Sequence, residues 1–371
     1  MLPPILESLS KLPNILKIEI DGLGDFHGGR LYHDTSMEEA SSQLVMQCNY
    51  RLRKFRVDSP ISASALRHVI QLPSLEDLWL VVDSIQLPDP LPILVFPSLR
   101  ELDVECNGDF TWLKLLPSIR NPVLTSIGIK CPGSDVERFI KTFQETMTGC
   151  GMHESLQVFE VESPDKFQIT PQIIAHNFSF KNLTNLTLSS DCSDHCQTSD
   201  LTDDDIDLLT KAMPCLEGLF LGGIPCMVPS QITFKSLYTI SHRCTRLKEL
   251  LIHFNPVLFV NKMRTSLQSW EVVLALSDLK TPSSDLCPLT TIYVGNIPLP
   301  PKGDASSILA LGLLGVFPCL RLIECEDGDW DDIQMLVGVY RRMGCYAFGR
   351  KKESDSDTMS DDDEDDMWVT D

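Results

Sequence analysis

Two short stretches carry residue types that could bind a metal, and each lacks a ligand that a metal site needs. HESLQ (153–157) begins like the helix of a zinc protease, but Gln157 stands where the second histidine would be. DCSDHC (191–196) offers two cysteines and a histidine without a fourth ligand at a suitable spacing, so a polar loop is favoured over a zinc site. The sequence therefore predicts neither a metal nor another cofactor.

Other stretches that could serve catalysis fail in the same way. DGLGDFHGG (21–29) has the spacing Gly-x-Gly-x-x-x-Gly and no clear helix after it, which indicates a loop rather than a dinucleotide-binding turn. DDDID (203–207) and DGDWDD (327–332) lack the glycine and the final glutamate of a calcium-binding loop, and we interpret both as acidic helix starts. No nucleophile elbow or phosphate-binding loop occurs. We expect a protein that is not an enzyme; an enzyme with an unrecognised site is the remaining alternative.

The charge and composition of the chain narrow the range of partners that it could bind. The 371 residues carry a formal net charge of −21. The negative electrostatic field of such a chain disfavours binding to nucleic acids and to anionic membranes. The first residues lack the features of a signal peptide. The longest uncharged apolar run (308–320) is too short to cross a bilayer and predicts a buried helix leading into a strand. The 13 cysteines are then expected to be reduced thiols in the cytoplasm or nucleus.

One motif recurs along the chain: an apolar residue, two variable positions, and then two apolar residues two positions apart. FPSLRELDVE (96–105) and LPSLEDLWLV (72–81) both contain it. Successive copies are 23 to 42 residues apart, which overlaps the period of about 20 to 29 residues in leucine-rich repeats. The first apolar residues of the eleven copies are Ile15, Leu52, Leu75, Leu99, Leu124, Leu156, Leu183, Leu216, Leu247, Leu289 and Leu320.

The spacing within the motif has a structural reason. The last two apolar residues point to the same side of a short strand, and the first closes that side from the preceding turn. Helical periodicity follows between copies, as in 135–149, 199–214, 304–318 and 329–344. Segment 135–149 places Val136, Phe139, Ile140 and Phe143 on one stripe. Segment 199–214 offers Thr202 as the N-cap of a helix, followed by the apolar residues Ile206, Leu208 and Leu209. The alternative is that the motif arises by chance inside leucine-rich helices. Alternating strands and helices favour an α/β leucine-rich-repeat solenoid, with a curved parallel sheet on the concave face and helices on the convex face.

Three segments also resemble a known family. LTDDDIDLLTKAMPCLEGLFLGG (201–223), FPSLRELDVECN (96–107) and CTRLKELLIHFN (244–255) look like fungal F-box-associated leucine-rich-repeat proteins with ribonuclease-inhibitor-like repeats. The resemblance extends over about 12–345, and only Asn107 and Asn255 match the consensus asparagine. It implies a protein-recognition module, the substrate-binding part of an F-box-type ubiquitin-ligase (SCF) adaptor. A free-standing interaction scaffold without a ligase is the alternative.

The F-box of that family, a helical module ahead of the repeats, is not visible. LPPILESLSKL (2–12) is similar to its opening, but LPNILKIEI (12–20) already resembles a repeat. We expect that the module was lost or lies in sequence upstream. A Skp1-type adaptor is therefore a predicted partner only if an F-box exists upstream.

The strand register predicts a binding face. If the two apolar residues of each motif face the core, the residue between them faces the concave side. Among these, the large side chains of Trp79, Phe220, Leu251 and Tyr293 are candidate anchors for a protein, unless neighbouring side chains or loops cover them. The candidate face also includes Arg56, Glu101, Asp103 and Glu160. Its acidic character predicts a protein partner with a basic patch, although a solvated charged face is the simpler interpretation.

Residues 353–371 hold ten acidic residues and little that could be buried. This composition predicts disorder. We therefore expect a solenoid of about eleven irregular repeats over residues 1–348 and a disordered acidic tail over 349–371.

Overall fold

A computed structural model describes most of the repeat region. It covers residues 16–20, 35–47, 51–82, 94–106, 119–120, 123–132, 136–149, 151–164, 167–190, 200–222, 230–266, 287–294, 299, 304–325 and 330–342. The predicted acidic tail, Ile15 and both Gly-rich and Cys-rich stretches at 21–29 and 191–196 lie outside these residues.

Thirteen strands lie in the described residues. They are β1 Lys17–Ile20, β2 Lys54–Pro60, β3 Asp77–Val82, β4 Leu94–Val95, β5 Glu101–Cys106, β6 Ile119–Arg120, β7 Ser126–Lys130, β8 Val158–Ser163, β9 Asn185–Ser190, β10 Gly218–Leu221, β11 Glu249–Ile252, β12 Thr291–Tyr293 and β13 Leu322–Glu324. Eleven of them form one sheet in chain order, and β4 pairs with β6 in a separate two-stranded sheet. Every neighbouring pair is parallel.

Nine α-helices lie in the same part of the chain. They are α1 Thr35–Gln47, α2 Ala63–Ile70, α3 Val136–Gly149, α4 Pro171–His176, α5 Asp203–Ala212, α6 Phe234–Arg243, α7 Pro256–Ser266, α8 Ala305–Val316 and α9 Asp331–Arg342. Consecutive helices such as α5 and α6, or α8 and α9, pack against each other. Helices need about 8 to 10 Å of spacing and strands only about 4.8 Å, so the sheet lies on the inner side of the curve. The predicted leucine-rich-repeat solenoid is confirmed.

The turn before each strand is held by one repeated hydrogen-bond pattern. The carbonyl of Arg53 accepts from the amides of Glu76 (2.7 Å) and Asp77 (3.0 Å), and the carbonyl of Glu76 accepts from the corresponding two amides of the next repeat. The pattern occurs ten times, from the carbonyl of Leu16 to that of Thr290. It brings the first leucine of each motif into the core, and all ten that the structure describes are at most 1% exposed. The motif therefore marks the turn and the strand together.

Helix α3 shows how a repeat fills the core. The stripe predicted for it, Val136, Phe139, Ile140 and Phe143, is fully buried. The ring of Phe143 stacks on Phe159 of β8 with centroids 4.9 Å apart. The rings of Phe139 and Phe180 lie 5.7 and 5.8 Å from that of Phe143. This aromatic cluster joins the helix to the strand of its own repeat and to the following turn.

The predicted helix start near Thr202 is also confirmed. Helix α5 begins at Asp203, and the Asp205 carboxylate accepts hydrogen bonds from the Thr202 amide (2.9 Å) and hydroxyl (2.7 Å). Of the apolar residues expected on its inner stripe, Ile206 and Leu209 are buried, whereas Leu208 is 50% exposed. Position 208 falls on the outer surface of α5, so the prediction for Leu208 is wrong.

Asp203 ties two successive helices together. Its carboxylate accepts hydrogen bonds from the amide (2.8 Å) and hydroxyl (2.7 Å) of Thr233 and from the hydroxyl of Ser236 (2.5 Å). Thr233 is the N-cap of α6. Burial opposes ionisation, but the hydrogen bonds from Ser236 and Thr233 outweigh it and lower the pKa of Asp203.

We expect Asp203→Ala to destabilise the protein by about 1 to 2 kcal/mol at neutral pH. The substitution removes the carboxylate that accepts from the Thr233 amide and from the Thr233 and Ser236 hydroxyls. Since the folded-state pKa lies below the unfolded value of about 3.9, the stabilisation is present above that pH and disappears as the pH falls through the folded-state pKa. Urea unfolding at neutral pH and at about pH 3 should show the difference from wild type shrinking with acid. Asp204→Ala removes an exposed neighbouring carboxylate and serves as control; an equal effect of the two would contradict the cap.

Candidate protein-binding face

The sheet surface opposite the helices is called here the open face. The middle outward residue of each strand pairs with its counterpart on the next strand, so these residues form one continuous central row. The row consists of Glu19, Arg56, Trp79, Asp103, Gly128, Glu160, Thr187, Phe220, Leu251, Tyr293 and Glu324. The structure thus places seven of the eight predicted site residues in one row, and Glu101 lies beside it on β5.

Three of the four candidate anchors are partly exposed. Trp79, Phe220 and Tyr293 fall between buried and fully exposed, whereas Leu251 is only 7% exposed. The rings of Phe220 and Tyr293 lie 5.8 Å apart although their strands flank β11, so both lean over Leu251. The prediction of Leu251 as an exposed anchor is therefore wrong, because the two neighbouring rings cover it.

Arg56 is engaged by a buried carboxylate. Its guanidinium forms a two-pronged contact with Asp77, with Nη2 to Oδ2 at 2.8 Å and Nε to Oδ1 at 3.2 Å. Lys54 adds a third contact at 3.1 Å, and Asp77 is only 2% exposed. Asp77 lies two positions before Trp79 on the same side of β3, but the cations of Arg56 and Lys54 cover it. Arg56 stays a predicted binding residue, but its main contact is structural.

A position without a side chain, called here the notch, lies between two carboxylates in the middle of the open face. Gly128 separates Asp103 from Glu160 along the central row, and a Cβ at Gly128 would meet Oδ1 of Asp103 at 2.2 Å. The Asp103 carboxylate therefore lies over the glycine. Burial is the main cause that raises the pKa of Asp103 and of Glu160, and nearby carboxylates add to it. Both charges are partly removed from water.

The basic groups near this notch neutralise only part of its charge. Arg56 Nη2 lies 3.9 Å from Asp103, and Lys130 Nζ lies 3.8 Å from Glu105, which is 7% exposed. Among the residues that the structure describes, no basic side chain forms an ion pair with Glu160 or Glu162. A cation supplied from outside would find uncompensated carboxylates at this position.

The aromatic pair of Phe220 and Tyr293 has acidic neighbours that the sequence analysis did not connect with it. Burial raises the pKa of Tyr293, and the carboxylates of Glu324 and Glu249 raise it further because they lie close to the phenol. Both glutamates are exposed. Glu324 follows Tyr293 in the central row. Glu249 is on β11 outside that row, and it acts on the pKa of Tyr293 because the phenol leans over β11.

Two of the stretches with potential chemistry occupy structural positions in the described part of the chain. His153 lies in a single-turn 3-10 helix, Met152–Glu154, and DDDID forms the start of α5. Within the ranges given above, no group of three or more His, Cys, Asp or Glu side chains is placed to hold a metal ion. Across that same part of the chain, no helix has the length and apolar character needed to cross a membrane.

The described cysteines are free thiols, and four of the seven are buried. Burial raises the pKa of Cys244 to about 12 and that of Cys287 to about 11. The Cys287 thiol donates to the carbonyls of Cys244 and Leu247 at 3.6 Å. These side chains are protonated packing groups rather than nucleophiles.

Comparison with known proteins adds little to the geometry. No family model matches the chain, and no curated protein matches it. Among solved structures, the chain is similar to an internalin (inlF) from Listeria monocytogenes, with 14% identity, 80% of this chain and 74% of that chain covered, and a TM-score of 0.36. It is also similar to a chain of the Rad7 and Elc1 complex in yeast, with 15% identity, 82% and 86% covered, and a TM-score of 0.28. The fold assignment rests on the sheet itself.

Proposed function

We propose that this chain is a protein-recognition module that binds its partner on the open face. The observation that carries this proposal is the central row, in which Trp79, Phe220 and Tyr293 stay partly exposed. The acidic residues Asp103, Glu160 and Glu324 share that row with them. Half-exposed aromatic rings with polar neighbours are the usual anchors of protein interfaces. A row that spans eleven strands offers an extended surface, which suits the binding of a protein.

The acidic character of the face supports a partner with a basic patch. Asp103 and Glu160 border the notch, and Glu101 lies on the same strand as Asp103. The cations of Arg56 and Lys54 are shared with Asp77, and Arg56 lies farther from Glu101 (3.7 Å) and Asp103 (3.9 Å) than from Asp77 (2.8 Å). Complementary charge speeds association and selects among partners.

Site-specific photocrosslinking tests the face directly. A photoreactive amino acid at Thr187, in the middle of the central row, should give a discrete crosslinked protein in cells that express the chain. The same group at Tyr238, on helix α6 of the opposite surface, should not. Equal crosslinking from both positions, or from Tyr238 alone, would contradict the open face as the binding surface.

Trp79→Ala should weaken binding of the partner by about 2 kcal/mol, which is roughly 30-fold in the dissociation constant, because the partly exposed ring is the proposed anchor. The melting temperature should hardly change, since Trp79 is not in the core. Isothermal titration calorimetry with the partner identified by crosslinking measures the dissociation constant. Thermal unfolding followed by circular dichroism measures the melting temperature. Tyr238→Ala is the matched aromatic control. Unfolding of the Trp79 variant would show instead that the ring stabilises the fold.

The resemblance of 201–223, 96–107 and 244–255 to F-box-associated repeat proteins supports a narrower proposal, in which the chain selects substrates for an F-box-type ubiquitin ligase in the cytoplasm or nucleus. The alternative is a free-standing interaction scaffold. Purification of the full-length product of the locus decides between them. A Skp1-type adaptor that co-purifies favours the ligase, and its absence from a product without an F-box favours the scaffold.

A further inference from the structure

The open face has two places that suit a cationic side chain, and they differ in construction. The first is the notch over Gly128 between the carboxylates of Asp103 and Glu160. The second is the pair of rings of Phe220 and Tyr293, beside the exposed carboxylates of Glu249 and Glu324. We call these the notch and the aromatic pair.

Each place provides a different kind of stabilisation. At the notch, a lysine or arginine would meet two partly desolvated carboxylates with no side chain between them, because position 128 has no Cβ. At the aromatic pair, the cation would lie against ring faces and be balanced by two glutamates, which combines a cation–π contact with ion pairing. Asp103 also lies 3.9 Å from Arg56, so an apolar ligand would leave Glu160 at the notch, and Glu249 and Glu324 at the aromatic pair, without a basic partner among the described residues.

The distance between the two places sets a spacing for the ligand. Gly128 is on β7 and Leu251, below the aromatic pair, is on β11, four strand intervals away in the sheet. At about 4.8 Å for each interval the separation is roughly 19 Å, and an extended chain covers it in about six residues. Because side chains of an extended chain alternate, residues an even number apart point to the same side. Thr187, partly exposed on β9, leaves the path between the two places open to a backbone.

We propose that the partner of the open face is an extended basic segment of a protein that crosses the strands, with one cationic residue in the notch and a second, about six positions along, on the aromatic pair. This inference rests on the proposed function and specifies its ligand. Two observations support the inference: the acidic character of the open face, and the presence on it of two separate places that suit a cation, the notch and the aromatic pair.

Defined peptides test the spacing with the full chain. The probes are fluorescein-labelled glycine-serine peptides with one arginine, or with two arginines at about six positions, at half that spacing or at twice that spacing. Fluorescence anisotropy at low ionic strength should show the tightest binding at about six positions, at least about tenfold tighter than for the single-arginine peptide, because the second contact becomes intramolecular.

Two isosteric variants locate the contacts without altering the core. The double variant Glu249→Gln with Glu324→Gln removes the charges at the aromatic pair. It should lower the affinity for the tightest two-arginine peptide to that for the single-arginine peptide. Glu160→Gln removes a charge at the notch and should lower the affinity for the same peptide to the same level. The matched control is Glu137→Gln with Asp204→Asn, which neutralises two exposed carboxylates on the helical side, and it should leave the spacing preference unchanged.

The outcomes separate this inference from the proposed function. Affinity that does not depend on spacing, or that the helical-side control weakens equally, would reflect general attraction to a chain of charge −21 and would overturn the inference. Failure of every peptide, with crosslinking from Thr187 intact, would overturn the basic segment and leave protein recognition standing. Failure of both experiments would overturn both proposals.

Discussion

Replacing Phe143 with alanine is expected to destabilise the protein by about 3 to 5 kcal/mol, the range for deleting a fully buried phenylalanine. Its ring is fully buried and stacks on Phe159 at 4.9 Å, with Phe180 at 5.8 Å. The deletion leaves a cavity between α3 and β8 that the parallel strands on either side cannot close by shifting. Stacked rings add a contribution beyond their buried area, so the cost should fall at the upper part of this range.

The location of Phe143 makes the effect cooperative. Each repeat of a solenoid contacts only its neighbours, so weakening a central repeat weakens two interfaces. Urea unfolding followed by far-ultraviolet circular dichroism measures the change. Phe143→Leu should retain most of the stability. Leu208→Ala, a residue 50% exposed on α5, should stay within about 0.5 kcal/mol of wild type. A loss below about 1 kcal/mol for Phe143→Ala would contradict the cluster as a core element.

Arg56→Ala is expected to cost about 3 kcal/mol, because it leaves the buried carboxylate of Asp77 with Lys54 as its remaining basic contact. Arg56→Lys should recover little of this, since an ammonium group cannot make the two-pronged contact of 2.8 and 3.2 Å. Denaturant unfolding measures the loss. Arg53→Ala is the control, because Arg53 is exposed and lies 3.7 Å from Glu76 at the surface.

A double variant separates the ion pair from the rest of the side chain. Arg56→Met with Asp77→Leu removes both charges and should be more stable than Arg56→Ala alone, because no uncompensated carboxylate stays buried. If the double variant were as unstable as the single one, the loss would come from packing of the arginine stem. The comparison also matters for binding assays. Reduced partner binding by Arg56→Ala would reflect the loss of folded protein as well as the loss of a contact with the partner.

The repeat pattern predicted the sheet almost completely. The eleven motif positions lead to eleven strands in chain order, because two apolar residues spaced two apart leave only one register that buries both. Helix α3 was predictable for a similar reason, since its four apolar residues form one stripe. The pair β4 and β6 was not predicted, because two residues on each side carry too little periodicity to be recognised.

The sequence alone determined which residues share the open face, because the alternation of side chains along a strand is a local property. Only the tertiary structure decided what each of them contacts there. Asp77 is buried because Lys54 and Arg56 of the preceding repeat reach it, and Leu251 is buried because rings from two other strands lean over it. These contacts join residues 21 to 73 positions apart, and they depend on side-chain directions across neighbouring strands that no local pattern encodes.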